Sequence, residues 1–80
     1  MPRYFFHVED GSSRPDEEGT ELPDLDAAYE EAVVLSGSIL REIGAKALRS
    51  GEPWQVRVTQ QPDLKSKAVL VLTFSASKEG

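Results

Sequence analysis

The chain has no cysteine and a single histidine, His7, in 80 residues. The lack of cysteine excludes disulfides, thiolate zinc sites and cysteine nucleophiles. One histidine leaves any transition-metal site dependent on carboxylates or on a second chain. The longest apolar run, residues 68–72, is far shorter than the ~20 residues that span a bilayer, and no stretch resembles a signal peptide. We therefore expect a cytoplasmic protein with no membrane segment, no metal and no cofactor.

The formal net charge of −5 is unevenly distributed. Residues 9–31 contain ten acids and one base, a local net of −9, whereas the remaining residues contain four acids and eight bases, a net of +4. An acidic front half repels a phosphate backbone, so we expect no nucleic-acid partner. The same charge suits a basic protein partner.

The first half of the sequence predicts a strand followed by a helix. Residues 3–9 are rich in aromatic and β-branched types and precede an Asp-Gly turn signal, which is typical of a strand. Asp24 or Asp26 is positioned to cap a helix that runs to about Arg49, before Ser-Gly.

The last third predicts a β-hairpin with arms at residues 54–59 and 68–75. The second arm is apolar on both faces, so we expect it to be central in the sheet. The whole chain, residues 1–80, is predicted to be one α+β domain. Its antiparallel sheet of three or four strands carries one long helix on one face, and residues 75–80 form a frayed tail.

Hydrophobic periodicity also predicts which side chains are buried. The core is expected to comprise Tyr4, Phe6, Val8, Leu25, Tyr29, Ala32, Ile39, Ile43, Val56, Val58, Leu70, Leu72 and Phe74. Phe5, Val69 and Val71 lie on the second sheet face, where we expect self-association. Gly37 and Gly44 interrupt the helix at a cost of roughly 1 kcal/mol each, which indicates close approach to the sheet, simple tolerance or a helix–helix dimer contact.

Candidate binding residues are His7 with Arg57, and the acids Asp16, Glu17, Glu18 and Glu21. Histidine by default titrates near neutrality, which makes His7 a candidate, but a histidine held by a hydrogen bond within the sheet is the simpler interpretation. Three adjacent acids of an extended segment point to opposite sides, so a solvated loop is favoured over a cation site.

An enzyme is the alternative hypothesis. Removal of Met1 would expose the amine of Pro2, and small tautomerases of strand–helix–strand design use such an amine as a base. This hypothesis requires a pocket where Pro2, His7 and Arg57 converge.

The N-terminal third resembles a family of short, uncharacterised bacterial proteins. Its motif reads YFFH at residues 4–7, DG at residues 10–11 and D-x-EG-x-E-LPD-L at residues 16–25. The resemblance is close over residues 2–32 and looser beyond them. It implies a domain of unknown function and transfers no catalytic residue.

A weaker similarity links residues 19–32 to HicB-type antitoxin domains. The pattern Gly-Thr-x-Leu followed by Ala-Ala-x-x-Glu-Ala carries it, and it implies a module that blocks or bridges another protein. From the residues together we predict a small acidic, non-enzymatic interaction module, either self-associating as a homodimer or regulatory.

Overall fold

An antiparallel sheet of five strands lies against one long helix in this computed structural model, which describes residues 1–79. Within α1 the description does not extend to the side chains of Ile43 and Ala47. The elements are β1 (Arg3–Glu9), β2 (Ser13–Arg14), β3 (Thr20–Glu21), α1 (Leu25–Leu48), β4 (Trp54–Thr59) and β5 (Ala68–Phe74). This confirms the α+β prediction, and the two very short strands account for the larger strand number.

β1 is the strand with the most partners in the sheet, because it pairs with β2, β3 and β4. The strand order is β2-β1-β4-β5, and β3 pairs with the beginning of β1. In the β1–β4 pair, Phe6 lies opposite Val58 and His7 lies opposite Arg57. Because opposite residues share a face, Phe6 and Val58 face the helix, whereas His7 and Arg57 lie on the second face.

β5 lies at the edge of the sheet, so the prediction of a central strand was wrong. Its residues alternate between half-buried and exposed, and Val69 and Val71 are 38% and 42% exposed. An apolar pattern on both faces is typical of a strand that is covered twice. Here only the face toward the helix is covered.

The ends of α1 agree with the start and stop signals predicted from the sequence. Asp24 caps the helix, because its Oδ1 accepts a hydrogen bond of 2.9 Å from the backbone N–H of Ala27. Arg49 is the C-cap, and Gly51 follows with φ of 78°, a left-handed conformation that glycine adopts without strain.

The core between α1 and the sheet is narrower than the sequence predicted. Its buried members are Tyr4, Phe6, Ala28, Ala32, Val56 and Val58. Leu25 and Tyr29 were expected there but are 39% and 51% exposed, whereas Leu35 packs against the core instead. The predicted stripe was too wide, since a sheet on one side covers only one arc of a helix. The prediction for Ile43 concerns a side chain outside the described part.

Within residues 1–79, no helix is both long enough and apolar enough to cross a membrane.

Candidate functional site

His7 is fully buried at the centre of a hydrogen-bonded chain on the second face of the sheet. The backbone N–H of Asp16 donates to its Nδ1 over 3.0 Å, and its Nε2 lies 2.8 Å from Oγ1 of Thr59. Oγ1 of Thr59 in turn donates to the carbonyl oxygen of Gln61 over 2.6 Å. Since Nδ1 must accept, the ring is neutral with its proton on Nε2. Both ring nitrogens therefore have partners.

Protonation of His7 would disrupt this chain. A proton on Nδ1 would face the N–H of Asp16, donor against donor. Burial lowers the pKa of His7; the charge of Asp16 raises it in part, and the charge of Arg57 lowers it again. The lone pair that a general base would use is already occupied.

Asp16 fixes the acidic loop, residues 16–21, to β1. Its Oδ2 accepts a hydrogen bond of 3.1 Å from the backbone N–H of Phe6, and its Oδ1 accepts from the N–H groups of Glu18 and Gly19 at 3.1 Å each. Phe6 lies between the part of β1 that pairs with β3 and the part that pairs with β2. The carboxylate thus satisfies a strand amide where neither short strand reaches it.

These hydrogen bonds also decide the ionisation of Asp16. Burial alone would raise the pKa of Asp16, but hydrogen bonds from the N–H groups of Gly19, Phe6 and Glu18 lower it, and nearby His7 adds to this. The net pKa of Asp16 is lowered, so the carboxylate is charged at neutral pH.

The acidic loop packs over the second face of β1. Phe5, expected to be available for self-association, is only 6% exposed. Gly19 lies directly against it: a Cβ on Gly19 would approach the ring of Phe5 and Cγ of Arg3 to 2.8 Å each. Its φ of 73° also favours glycine. The loop therefore completes the fold on this side.

Arg57, the other candidate on this face, holds the β4–β5 loop. Its Nε donates to the carbonyl oxygen of Leu64 over 3.3 Å, and one terminal nitrogen donates to that of Ser66 over 3.0 Å. The structure thus brings His7 and Arg57 together as cross-strand neighbours. Each has its own set of hydrogen-bond partners.

The remaining acidic candidates differ from Asp16. Glu21 forms an ion pair of 3.1 Å with Arg3, which also donates to the carbonyl oxygen of Glu18 over 2.9 Å. The side chains of Glu17 and Glu18 are exposed and form no ion pair within the described residues. Among the residues of the described chain, no three metal-ligating side chains are grouped to hold a metal ion.

Pro2 lies apart from the other two residues of the enzyme hypothesis. It is exposed, and its carbonyl oxygen accepts a hydrogen bond from the N–H of Leu22. His7 lies five positions further along the extended chain, about 16 Å away at the rise of a strand. An open groove of about 670 Å³ lies between the end of α1 and the chain's tail, lined by Ala45, Leu48, Arg49, Gly51, Ala76, Ser77 and Lys78. It contains none of the three residues.

The outward side of α1 carries an apolar stripe, of which only Tyr29 was expected in the core. We call Tyr29, Val33, Gly37, Leu40 and Gly44 the outer stripe; at 3.6 residues per turn they fall within roughly 80° of arc. Tyr29, Val33 and Leu40 are 51%, 60% and 37% exposed. Among the described residues, no atom lies within 4 Å of a Cβ placed on either glycine. Packing within the chain therefore does not require these two helix-weakening residues.

Ser36 lies beside the outer stripe and is only 5% exposed. Its hydroxyl has no hydrogen-bond partner among the described residues. A buried hydroxyl without a partner costs free energy.

Sequence reasoning missed Thr59 and Val33. Thr59 is an ordinary strand residue in the pattern, and only the β1–β4 register places it beside His7. Val33 could have been predicted as a member of the outer stripe, because it lies seven residues before Leu40. Seven residues are nearly two helical turns, so both side chains lie on the side of the helix that carries Tyr29.

The fold and the polar network together define a small α+β domain in which the only histidine serves as an internal connector. The chain matches the family model described as Domain of unknown function (DUF6894) over residues 3–75, and it belongs to that family. No curated protein and no solved structure matches the chain.

Proposed function

We propose that this chain is a small, acidic, non-enzymatic protein-interaction module that associates with a second copy of itself. The exposed outer stripe of α1 carries the proposal. A contiguous set of large apolar side chains on one side of a surface helix is typical of an interaction site. Scattered single apolar residues would need no such explanation.

The polar groups support a non-enzymatic function. His7 and Asp16, the two described groups with shifted pKa on the second face, are both fully used in holding the acidic loop to β1. A catalytic centre needs shifted groups that converge on an open cleft. Here they are enclosed by Phe5, Gly19 and Thr59.

Sedimentation equilibrium over a range from micromolar to millimolar protein tests the proposal. We expect the average mass to rise with concentration toward that of two chains. A mass of one chain at every concentration would contradict self-association. Moderate salt should leave most of the association intact, because burial of apolar surface does not depend on ionic screening.

The acidic loop supports a second kind of contact, with a basic protein. Glu17 and Glu18 form no ion pair within the described residues, and they belong to a loop that is fixed in place by Asp16. The resemblance of residues 19–32 to HicB-type domains, which is an expectation from the sequence pattern, motivates a regulatory contact of this kind. A lysine-rich peptide is a suitable probe, and the double substitution Glu17→Gln and Glu18→Gln should weaken its binding at low salt. Equal binding by both proteins would remove the loop from the proposal.

A further inference from the structure

We infer that two copies of the chain pair antiparallel through the outer stripe, with Tyr29 of each copy lying over Gly44 of the other. This inference rests on the proposed self-association and adds to it the surface and the orientation. The experiment below separates a failure of the orientation from a failure of self-association itself.

The charges along α1 select the antiparallel orientation. The first half of the helix, residues 25–37, carries three acids and no base, and the second half with its cap, residues 38–49, carries three bases and one acid. A parallel pair would place the acidic halves together. An antiparallel pair instead places each acidic half beside a basic half, and it also aligns the helix dipoles favourably.

The shapes along the outer stripe agree with one antiparallel register. Tyr29 opposite Gly44 places the largest side chain over a position where added atoms meet open space. The same register places Val33 opposite Leu40, two exposed aliphatic side chains. Both pairs recur by two-fold symmetry, with Gly37 near the centre where the helix backbones approach most closely. Close approach of two helices would explain why glycine occupies these positions, which packing within the single chain does not explain.

One charged pair lies at the border of this contact. Glu30 and Arg41 are exposed. They lie on the same side of the outer stripe, because a spacing of eleven positions corresponds to about three whole helical turns. In an antiparallel pair, equal sides of the two helices meet. Glu30 of each copy therefore lies beside Arg41 of the other, within about one turn of the register above. Neither forms an ion pair inside the described chain.

Val33 and Val34 provide a matched pair of variants. They are 60% and 63% exposed, but Val34 is turned by about 100° from Val33 and lies off the outer stripe. Val33→Glu should weaken dimerisation by about 100-fold, because it places two charges in an apolar contact. Val34→Glu should leave it within about threefold of the unchanged protein. Circular dichroism would confirm that both variants keep their helix.

The absence of cysteine allows a direct test of orientation. Val33→Cys and Leu40→Cys proteins are mixed and oxidised. The antiparallel register predicts mainly the mixed disulfide, because Val33 and the partner's Val33 lie about 10.5 Å apart along the axis, beyond the reach of a disulfide. A Val34→Cys protein mixed with Leu40→Cys is the control and should give little product.

A charge exchange gives an independent readout. Glu30→Arg alone should weaken the dimer by roughly tenfold, and adding Arg41→Glu should restore it. Like disulfides, 33 to 33 and 40 to 40, would overturn the antiparallel orientation and leave self-association standing. Equal dimerisation of the two Val→Glu variants would show that another surface is used and would also overturn the inference. A protein that is monomeric throughout would overturn both proposals.

Discussion

Substitution of Asp16 tests whether the acidic loop is primarily a structural element. Asp16→Asn keeps the size of the side chain, but the carboxamide offers a single oxygen where the carboxylate accepts from three backbone N–H groups. If that oxygen remains with Glu18 and Gly19, the amide NH₂ faces the N–H of Phe6, donor against donor. The strand amide then loses its partner.

The expected cost follows from these three contacts. A hydrogen bond to a charged group contributes about 1.5–3 kcal/mol, and an unsatisfied buried donor costs about 1–3 kcal/mol. Water can replace the partner of the more exposed Glu18 amide, so the three contacts do not add fully. We expect Asp16→Asn to lower the free energy of unfolding by about 2–3 kcal/mol. The total free energy of unfolding of a chain of this length is roughly 4–12 kcal/mol.

Urea unfolding provides the measurement. Trp54 is a natural probe, since it is 6% exposed and its ring stacks on Phe74 at a centroid distance of 6.0 Å. With a slope of about 1 kcal/mol per molar urea, the midpoint should fall by about 2–3 M. Glu17→Gln is the control, because it removes the same charge from the adjacent, exposed residue. If the two variants unfolded at the same urea concentration, Asp16 would not be the structural anchor described here.

Three further outcomes are expected. Because the pKa of buried His7 is lowered in the folded state, the unfolded chain binds its proton first, so stability should fall as pH drops below about 6.5; an unchanged urea midpoint between pH 7 and 5 would contradict this. Gly19→Ala should destabilise the fold by at least about 2 kcal/mol through its contact with Phe5 and its positive φ, whereas Gly44→Ala, which meets open space, should stabilise the isolated monomer by about 1 kcal/mol; thermal melts in dilute solution would show opposite shifts. Ser36→Ala should raise stability by about 1 kcal/mol, since it removes a buried hydroxyl that has no partner among the described residues, and a lower melting temperature would show that the hydroxyl is satisfied.

The elements of the fold were predictable where local chemistry decides them. Asp24 and Gly51 mark the ends of α1, and Asp10-Gly11 marks the turn after β1. Which arc of α1 is buried was not predictable, because helical spacing alone cannot show how wide a surface the sheet offers. Tyr29 was therefore placed in the core.

The candidate site illustrates the limit of spacing arguments. The sequence supplied both His7 and Asp16, but their contact runs through a backbone N–H rather than through the carboxylate. No motif encodes such a contact. The acidity of residues 16–21 had no explanation from turn chemistry alone, and Asp16 and Glu21 now have structural partners. Binding of a lysine-rich peptide tests whether Glu17 and Glu18 contact a protein partner.

The position of β1 also determines when the fold can be completed during synthesis. Its main partner, β4, begins 45 residues after Glu9, so a ribosome adding about 5–20 residues per second delivers it roughly 2–9 s later. During that interval the aromatic residues of β1 have no β4 to pair with, and His7 lacks Thr59. Chaperones that bind exposed aromatic segments have this window in which to act, and substitutions that slow closure of the β1–β4 pair should lower the yield of folded protein in cells more than they lower its stability once folded.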